Sequence, residues 1–458
     1  MPRNPLLHRP YAVPEAAVNR YERFGWDRNP FPDRLGVVPG GEDPRSNGSI
    51  YVESVRSREQ RRFEELLIPT LDRPARSMAF LREMAGRVRG IGKTAFLNRQ
   101  RQRVMTDLGR TLSGRQDYLF AAHLFPPGGT NSRKFWQFAR LVIGVLNEQE
   151  VMAELLWLLR AFSGCIPDPI LDQANDLPTT LGNDDWLRQQ GVAVDRDLVP
   201  TVSRKLVEAG VGEELAEALA KHGHAADRFR LEFLRTISDY RWRQIAGPWL
   251  TDDFVAAFRS AGFHRGLVFV DDFEKIVLGQ NTAERRTFAD DIRYSFVEGP
   301  TLAARTKFYS LLWVIHPLVE EILIRHWNAA GLDRFCALTG DMAPACRIEF
   351  HPLSAADAEL LVAEYIGAAR RTHVNDDALW PFSPAAIAAT FQIARQLPGH
   401  LLSWLNLAVE KAADDGWPDL SEERLVEFAR THPPRLLEER AEAQPLPAPE
   451  ADLRAGEG

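Results

Sequence analysis

Gly90-Ile91-Gly92-Lys93-Thr94-Ala95 is the stretch whose residue types and spacing carry the most specific chemistry in the chain. Holding a phosphate takes backbone N–H groups unobstructed by side chains, the positive end of a helix, a mobile cation, and a hydroxyl for Mg2+. Gly90 and Gly92 meet the first need, Lys93 and Thr94 the last two, and Ala95, Phe96 and Leu97 read as the helix. The spacing is that of a P-loop, G-x-x-x-x-G-K-[ST], with Arg87 in place of the first glycine and Gly86 one residue early. Lysine is scarce, with seven among 56 basic residues, so Lys93 stands out. A compact, flexible ammonium suits a phosphate loop better than the rigid fork of arginine.

Phosphoryl chemistry with Mg2+ calls for a second, acidic element. Leu267-Val268-Phe269-Val270 runs into Asp271-Asp272, four apolar residues ending in two carboxylates. Such a pair is costly unless it lies at the C-terminal edge of a sheet, where nucleotide clefts occur. Asp271 reads as the acid associated with Mg2+ and Asp272 as the one that polarises water for attack on a γ-phosphate. The competing reading makes Asp272 the N-cap of the following helix. His316, after the apolar run Phe308 to Ile315, is a polar tip able to touch the γ-phosphate, although a histidine capping a strand is an ordinary structural feature. Arg334, in Leu332-Asp333-Arg334-Phe335, is the candidate arginine offered to a neighbouring subunit's nucleotide, with Arg347 as its competitor.

Positioning these groups requires strands and helices in alternation. Short apolar runs at Met78 to Leu81, Tyr118 to Leu124, Leu267 to Val270 and Phe308 to Ile315 predict buried strands, and helical stretches separate them. The fold class that follows is α/β with a mainly parallel sheet. Ser57 and Gln60 have capping-box spacing ahead of Phe63, Leu66 and Leu67. Residues 1–50 read as an N-terminal arm whose aromatics Phe24, Trp26 and Phe31 pack onto the body. Residues 51–144 and 251–346 form the nucleotide-binding core, and 145–250 form an all-helical insertion marked by Leu155, Leu156, Leu158, Leu159, Leu206, Leu215 and Leu219. Beyond Arg347 the chain reads as helical again, with Ser354 and Asp357 as a capping box and Ser383-Pro384 as a cap with proline at the first helical position. Residues 347–432 are thus a helical lid, and 433–458, rich in Pro, Glu, Ala and Arg, a disordered tail.

Composition narrows the class. With 458 residues and 45% hydrophobic content the chain can bury a large core, which excludes a wholly disordered protein. A net charge of −7 argues against a uniformly basic nucleic-acid coat while leaving a local basic surface open. Three cysteines, Cys165, Cys336 and Cys346, lack metal-ligand spacing and fit a reducing, cytoplasmic setting. No apolar run approaches the roughly 20 residues of a spanning helix, so no membrane insertion is expected.

The order of arm, P-loop, Asp-Asp strand, polar-tipped strand, arginine and helical lid resembles the AAA+ ATPases, within them the branch of initiator proteins, the type II secretion ATPase and transposition-helper ATPases. Phe24-Gly25-Trp26 through Asn29-Pro30-Phe31 is similar to the aromatic-Asn-Pro-Phe opening of the secretion-type members. His316-Pro317-Leu318 with Leu323 mirrors their polar-Pro-x-Leu segment, and Arg347 to Ser354, running into Leu361, Tyr365 and Ile366, resembles their entry into the lid. The Asp271-Asp272 ending departs from the Asp-Glu common in AAA+ members, and no arginine stands at the expected lid position near Leu397-Pro398-Gly399-His400, Arg395 lying upstream.

The resemblance implies ATP and Mg2+ as cofactors, ATP hydrolysis, a homo-oligomer in a ring or filament, and double-stranded DNA together with a protein as partners, and the two departures point to slow turnover. Arg99, Arg101 and Arg103, and Arg228, Arg230, Arg235, Arg241 and Arg243 with Tyr240 and Trp242, offer basic side chains with interleaved aromatics for a DNA surface. The alternative is a nucleotide-controlled protein scaffold or switch in an antiphage defence or secretion complex.

Overall fold

A computed structural model describes residues 19–34, 36–38, 41–70, 72–83, 90–108, 118–149, 151–173, 181–221, 232–371 and 377–433. Gly86 and Arg87, Arg228 and Arg230, and the expected tail beyond position 433 lie outside the described residues. The described residues fall into two compact units, one within Arg56–Arg87 and Phe96–His351, the other within Met1–Val55, Val88–Ala95 and Pro352–Gly458.

The first unit is built on a five-stranded parallel sheet in the order β2-β3-β4-β1-β5. Its strands are β1 (Met78–Glu83), β2 (Tyr118–Leu124), β3 (Phe263–Val270), β4 (Tyr309–Ile315) and β5 (Arg347–Phe350). β4 is buried at all seven residues, as a central strand covered on both faces must be. The α/β core with a parallel sheet is therefore present as expected, with β3 beginning four residues earlier than its apolar run.

Arg347–Phe350 corrects the helical reading of the region after Arg347: it pairs in parallel with β1, Leu81 opposite Ile348 and Glu83 opposite Phe350. Ile348 and Phe350 alternate inward with Arg347 and Glu349 half-exposed, a period of 2 too short to stand out beside the helices that follow. The first helix, α1 (Ser57–Leu67), also departs from its expected start. Arg56, not Ser57, is the N-cap, and no side chain caps the helix. The Arg56 guanidinium instead lies 4.0 Å from the Phe350 ring centroid and pairs with Glu59 at 3.2 Å, both charged side chains nearly fully buried.

Helix α2 (Lys93–Arg103) follows β1 in sequence. In the first unit its Phe96 meets Phe63 and Phe350 edge-on at 6.2 and 5.4 Å, so an aromatic stack fixes α2 against α1 and β5. Between β2 and β3 every described regular element is helical, from α3 (Phe135–Glu148) through α4 (Asp239–Pro248). Leu155, Leu158, Leu206, Leu215 and Leu219 there are buried in the same hydrophobic core as the sheet. Phe138 of α3 lies 5.7 Å from Trp313 of β4, which joins the two layers. After β3 come α5 (Thr282–Phe296), capped reciprocally by Asn281 and Glu284, and after β4 comes α6 (Pro317–Ala329).

The second unit packs four helices: α7 (Ala355–Ala369), α8 (Pro384–Ile393), α9 (Pro398–Asp415) and α10 (Glu422–Thr431). Both expected caps are present. Ser354 and Asp357 close the capping box of α7, and Ser383 accepts from the Ala386 amide with Pro384 in the first turn of α8. Phe24, Trp26 and Phe31 of the N-terminal segment are 1%, 1% and 0% exposed in the core of these helices. Asn29 donates from Nδ2 to the Asn406 carbonyl at 3.0 Å and to Glu410 at 2.8 Å, while Asn406 donates to the Phe31 carbonyl at 2.8 Å. The aromatic-Asn-Pro-Phe segment is thus a structural component of the helical unit. No helix among the described residues is long and apolar enough to cross a membrane.

Candidate functional site

In a parallel sheet the C-terminal strand ends share one edge, and in this sheet that edge is polar although almost wholly buried. Glu83 closes β1, His123 is the penultimate residue of β2, Asp271 follows β3 and His316 follows β4. Their exposures are 2%, 1%, 2% and 7%. Buried polar groups are expensive without partners, so their gathering at one edge marks a site.

Asp271 is held from several sides. Its amide donates to the Leu124 carbonyl at 2.9 Å, which extends the β2–β3 ladder past the strand end. Its Oδ1 accepts the Asp272 amide at 3.0 Å, and its Oδ2 lies 3.3 Å from His123 Nε2. His123 Nδ1 has no hydrogen-bond partner among the described residues, so the tautomer that serves the carboxylate carries its proton on Nε2 and donates it. Gln149, after α3, clamps the strand at this point: its Oε1 accepts the His123 amide at 2.9 Å and its Nε2 donates to the His123 carbonyl at 2.7 Å. His123 and Gln149 were not singled out from the sequence. The only signal was a histidine interrupting an otherwise apolar strand, and Gln149 gave none.

Asp272 stands at φ 49°, a left-handed conformation that aspartate tolerates better than most residues. Its Oδ2 pairs with Lys275 Nζ at 2.7 Å, and more than a third of each side chain is exposed. The helix that follows, Glu274–Gly279, is capped by Phe273, so Asp272 is not its N-cap. His316 accepts the amides of Val319 and Glu320 through its carbonyl and so begins α6. Glu320, one turn on, binds Arg82 at 3.1 Å and Arg347 at 2.7 Å. With 9% of its side chain exposed, Arg347 is paired within its own chain. Arg334 is the opposite case, with 58% of its side chain exposed and a pairing to Glu298 at 3.2 Å on the surface.

The glycine loop belongs to the other unit. Gly90 and Gly92 adopt φ of 99° and 97°, the left-handed region glycine alone enters freely. A Cβ on Gly92 would meet nothing within 4 Å among the described residues. A Cβ on Gly90 would come within 3.0 Å of His400 Cδ2, and the Gly90 carbonyl accepts the Gly399 amide at 2.8 Å. His400, 3% exposed in the first turn of α9, is therefore the residue against the loop, and Arg395 lies in a left-handed turn at φ 55° before that helix. Lys93, Thr94 and Ala95 form the half-exposed first turn of α2, with Ile91 buried at 2%.

The Asp271 carboxylate at the sheet edge and, in the other unit, the Thr94 hydroxyl are each oxygen donors of the kind a small hard cation takes. Among the described residues no cluster of three or more His, Cys, Asp or Glu side chains is arranged to hold a metal by itself.

The proposed basic surface fares unevenly. Trp242 is 2% exposed with Arg140 5.5 Å from its ring centroid, so it cannot stack on a base. Tyr240 is 72% exposed, Arg243 lies 5.6 Å from the Trp136 centroid, and Arg241 is paired with Glu214. Arg103 is drawn to Glu64 at 2.8 Å.

No family model matches the chain, and no curated protein matches it. Among solved structures it is similar to the ORC2 protein of Aeropyrum pernix in its ADPNP-ADP complexes, at 11% identity and a TM-score of 0.42 over 88% of this chain and 71% of that one. A likeness of that size carries no inference about function.

Proposed function

We propose that the chain is an ATP-binding protein of the AAA+ type that hydrolyses ATP slowly, assembles with copies of itself and engages double-stranded DNA to recruit or regulate a protein partner. The observation that carries the nucleotide reading is the pairing of two independent features. A loop with two left-handed glycines opens a helix at Lys93-Thr94, and the parallel sheet bears a buried acid, Asp271, at its C-terminal edge.

In this reading the Gly90–Ala95 amides cradle the phosphates and Lys93 neutralises the β- and γ-phosphoryl oxygens. Thr94 and Asp271 would hold the hydrated Mg2+, which supplies charge neutralisation across the phosphates when bound. Asp272 accepts the proton of the attacking water and must part from Lys275 to do so, consistent with slow turnover. His316 senses the γ-phosphate. Arg334, exposed at the surface, reaches the nucleotide of an adjacent copy and stabilises the charge that develops on the transferred phosphoryl group. For DNA, the exposed Tyr240 and Arg243 of α4 support an aromatic and cationic contact, with Trp242 serving the core.

Two variants test the site. Lys93→Ala is expected to abolish binding of a fluorescent ATP analogue, and Asp272→Ala to retain binding while losing phosphate release. Normal nucleotide affinity in the Lys93 variant would overturn the assignment. Light scattering on a sizing column, with and without ATP-Mg2+ and a DNA duplex, tests assembly. Growth of the particle only when duplex is present supports the DNA reading, and growth indifferent to duplex removes it.

A further inference from the structure

Two of the three cysteines are brought together by the fold. Cys336 follows the short turn Leu332–Arg334, and Cys346 ends the turn Ala343–Cys346 that leads into β5. Both are buried, at 0% and 3% exposure, whereas Cys165 is half-exposed and lies elsewhere in the chain. Cys346 Sγ lies 3.7 Å from the carbonyl oxygen of Phe335, the group bonded to the Cys336 nitrogen, which places the sulfur beside the Cys336 backbone. It also lies 3.8 Å from the Met342 carbonyl and accepts from Arg76 Nη1 at 3.7 Å.

We propose that Cys346 and Cys336 are a redox-active pair, attacking and resolving thiol respectively, that closes to a disulfide when the protein meets a hydroperoxide. The two sulfurs are unequal in the way such a pair needs. A hydrogen bond from Cys336, then the Ala337 amide and the Arg76 and Arg62 guanidiniums, bring the Cys346 thiol down to about 6 against the opposing effect of burial. Burial, first, and the hydrogen bond to Cys346 push the Cys336 thiol up. A thiolate beside arginine is the reactive form of cysteine, and its protonated neighbour is the source of the second sulfur.

The step balances. The Cys346 thiolate attacks one peroxide oxygen, the O–O bond breaks, and a sulfenic acid forms with release of water once the leaving oxygen takes a proton. Cys336 then attacks the sulfenic sulfur, the S–O bond breaks, and a second water leaves with the Cys336 proton. Two thiols lose two electrons and the peroxide gains them. The bond ties the segment carrying Arg334 to the start of β5. In the 337–345 connection between the two cysteines, Gly340, Asp341, Met342 and Pro344 are exposed.

The test treats the reduced full chain with equimolar hydrogen peroxide, blocks remaining thiols with N-ethylmaleimide and maps peptides by mass. A peptide pair joined through Cys336 and Cys346, lighter by two hydrogens and restored by dithiothreitol, is the expected result, with Cys165 still alkylated. In Cys336→Ser, dimedone is expected to trap a sulfenic acid at Cys346 about tenfold faster than at Cys165. Oxidation confined to Cys165, or Cys346 oxidised without the joined peptide in the native sequence, overturns the proposal. The mapping needs no variant to fold and is independent of whether nucleotide is bound.

Discussion

His123 sets its Nε2 against Asp271, so the orientation of the buried acid depends on a ring whose backbone is clamped by Gln149. Removing the ring takes away the group that faces the Asp271 Oδ2 without removing any phosphate contact. His123→Ala is therefore expected to raise the Mg2+ concentration for half-maximal ATP hydrolysis about tenfold, as changes to groups that orient a metal-associated residue do, while Mg2+-free nucleotide binding holds. His123→Gln, which keeps an N–H donor, should recover part of the loss, and an unchanged Mg2+ requirement would take His123 out of the site. Asp291 on α5 gives a residue-scale prediction for stability. Burial first and the neighbouring Asp290 second raise its pKa from 3.8 to about 6. The folded state then binds more protons than the unfolded one between those values, so stability falls as pH rises through that window and the deficit is complete above it. Solvent at this half-exposed position limits the penalty to about 1 kcal/mol. Asp291→Asn should raise the melting temperature by roughly 2 °C near neutral pH and do nothing for it near pH 4, a contrast that thermal melts at the two pH values would expose.

At the scale of elements, the glycine loop separates two demands that sequence alone merges. Among the described residues Gly92 is required for its left-handed backbone alone, whereas Gly90 is required for its backbone and for the approach of His400. Gly92→Ala should cost about 1–2 kcal/mol of stability from backbone strain, and Gly90→Ala distinctly more. Urea denaturation of the two variants measures the gap, and equal losses would mean that His400 yields without cost. The strands and the lid caps were legible because each is encoded locally, by an unbroken apolar run or by a serine three residues before its partner. Arg347–Phe350 was not, since four residues with two inward positions match the noise of any loop until β1 lies alongside. The start of α1 was misread by one residue for a similar reason: Arg56 is held by Glu59 and Phe350, one of them nearly three hundred positions away in the sequence, and local cap spacing carries no trace of the latter.

At the scale of the whole molecule, the N-terminal segment is an integral part of the helical unit. Phe31 is fully buried, its ring 6.3 Å from Tyr365 and 5.9 Å from Phe382. Phe31→Ala should cost that unit about 3–5 kcal/mol. Calorimetry would show the loss as a lowered transition, and a change below about 1 kcal/mol would mean that the segment merely lies on the surface. The chain's sequence by itself determined the chemistry it carries: a lysine, a threonine and two glycines spaced for phosphate, two acids after an apolar strand, and the alternation that makes a parallel sheet. These are properties of residue type and short-range spacing, which need no partner to be read. Tertiary structure alone decided that His123 faces Asp271 and Gln149 clamps His123, that Arg347 answers to Glu320 while Arg334 stays exposed, that Trp242 is core and Tyr240 surface, and that Cys336 meets Cys346. Each of those depends on which distant residues become neighbours, and burial, which sets the cost or the use of a polar group, exists only once the chain has closed around it.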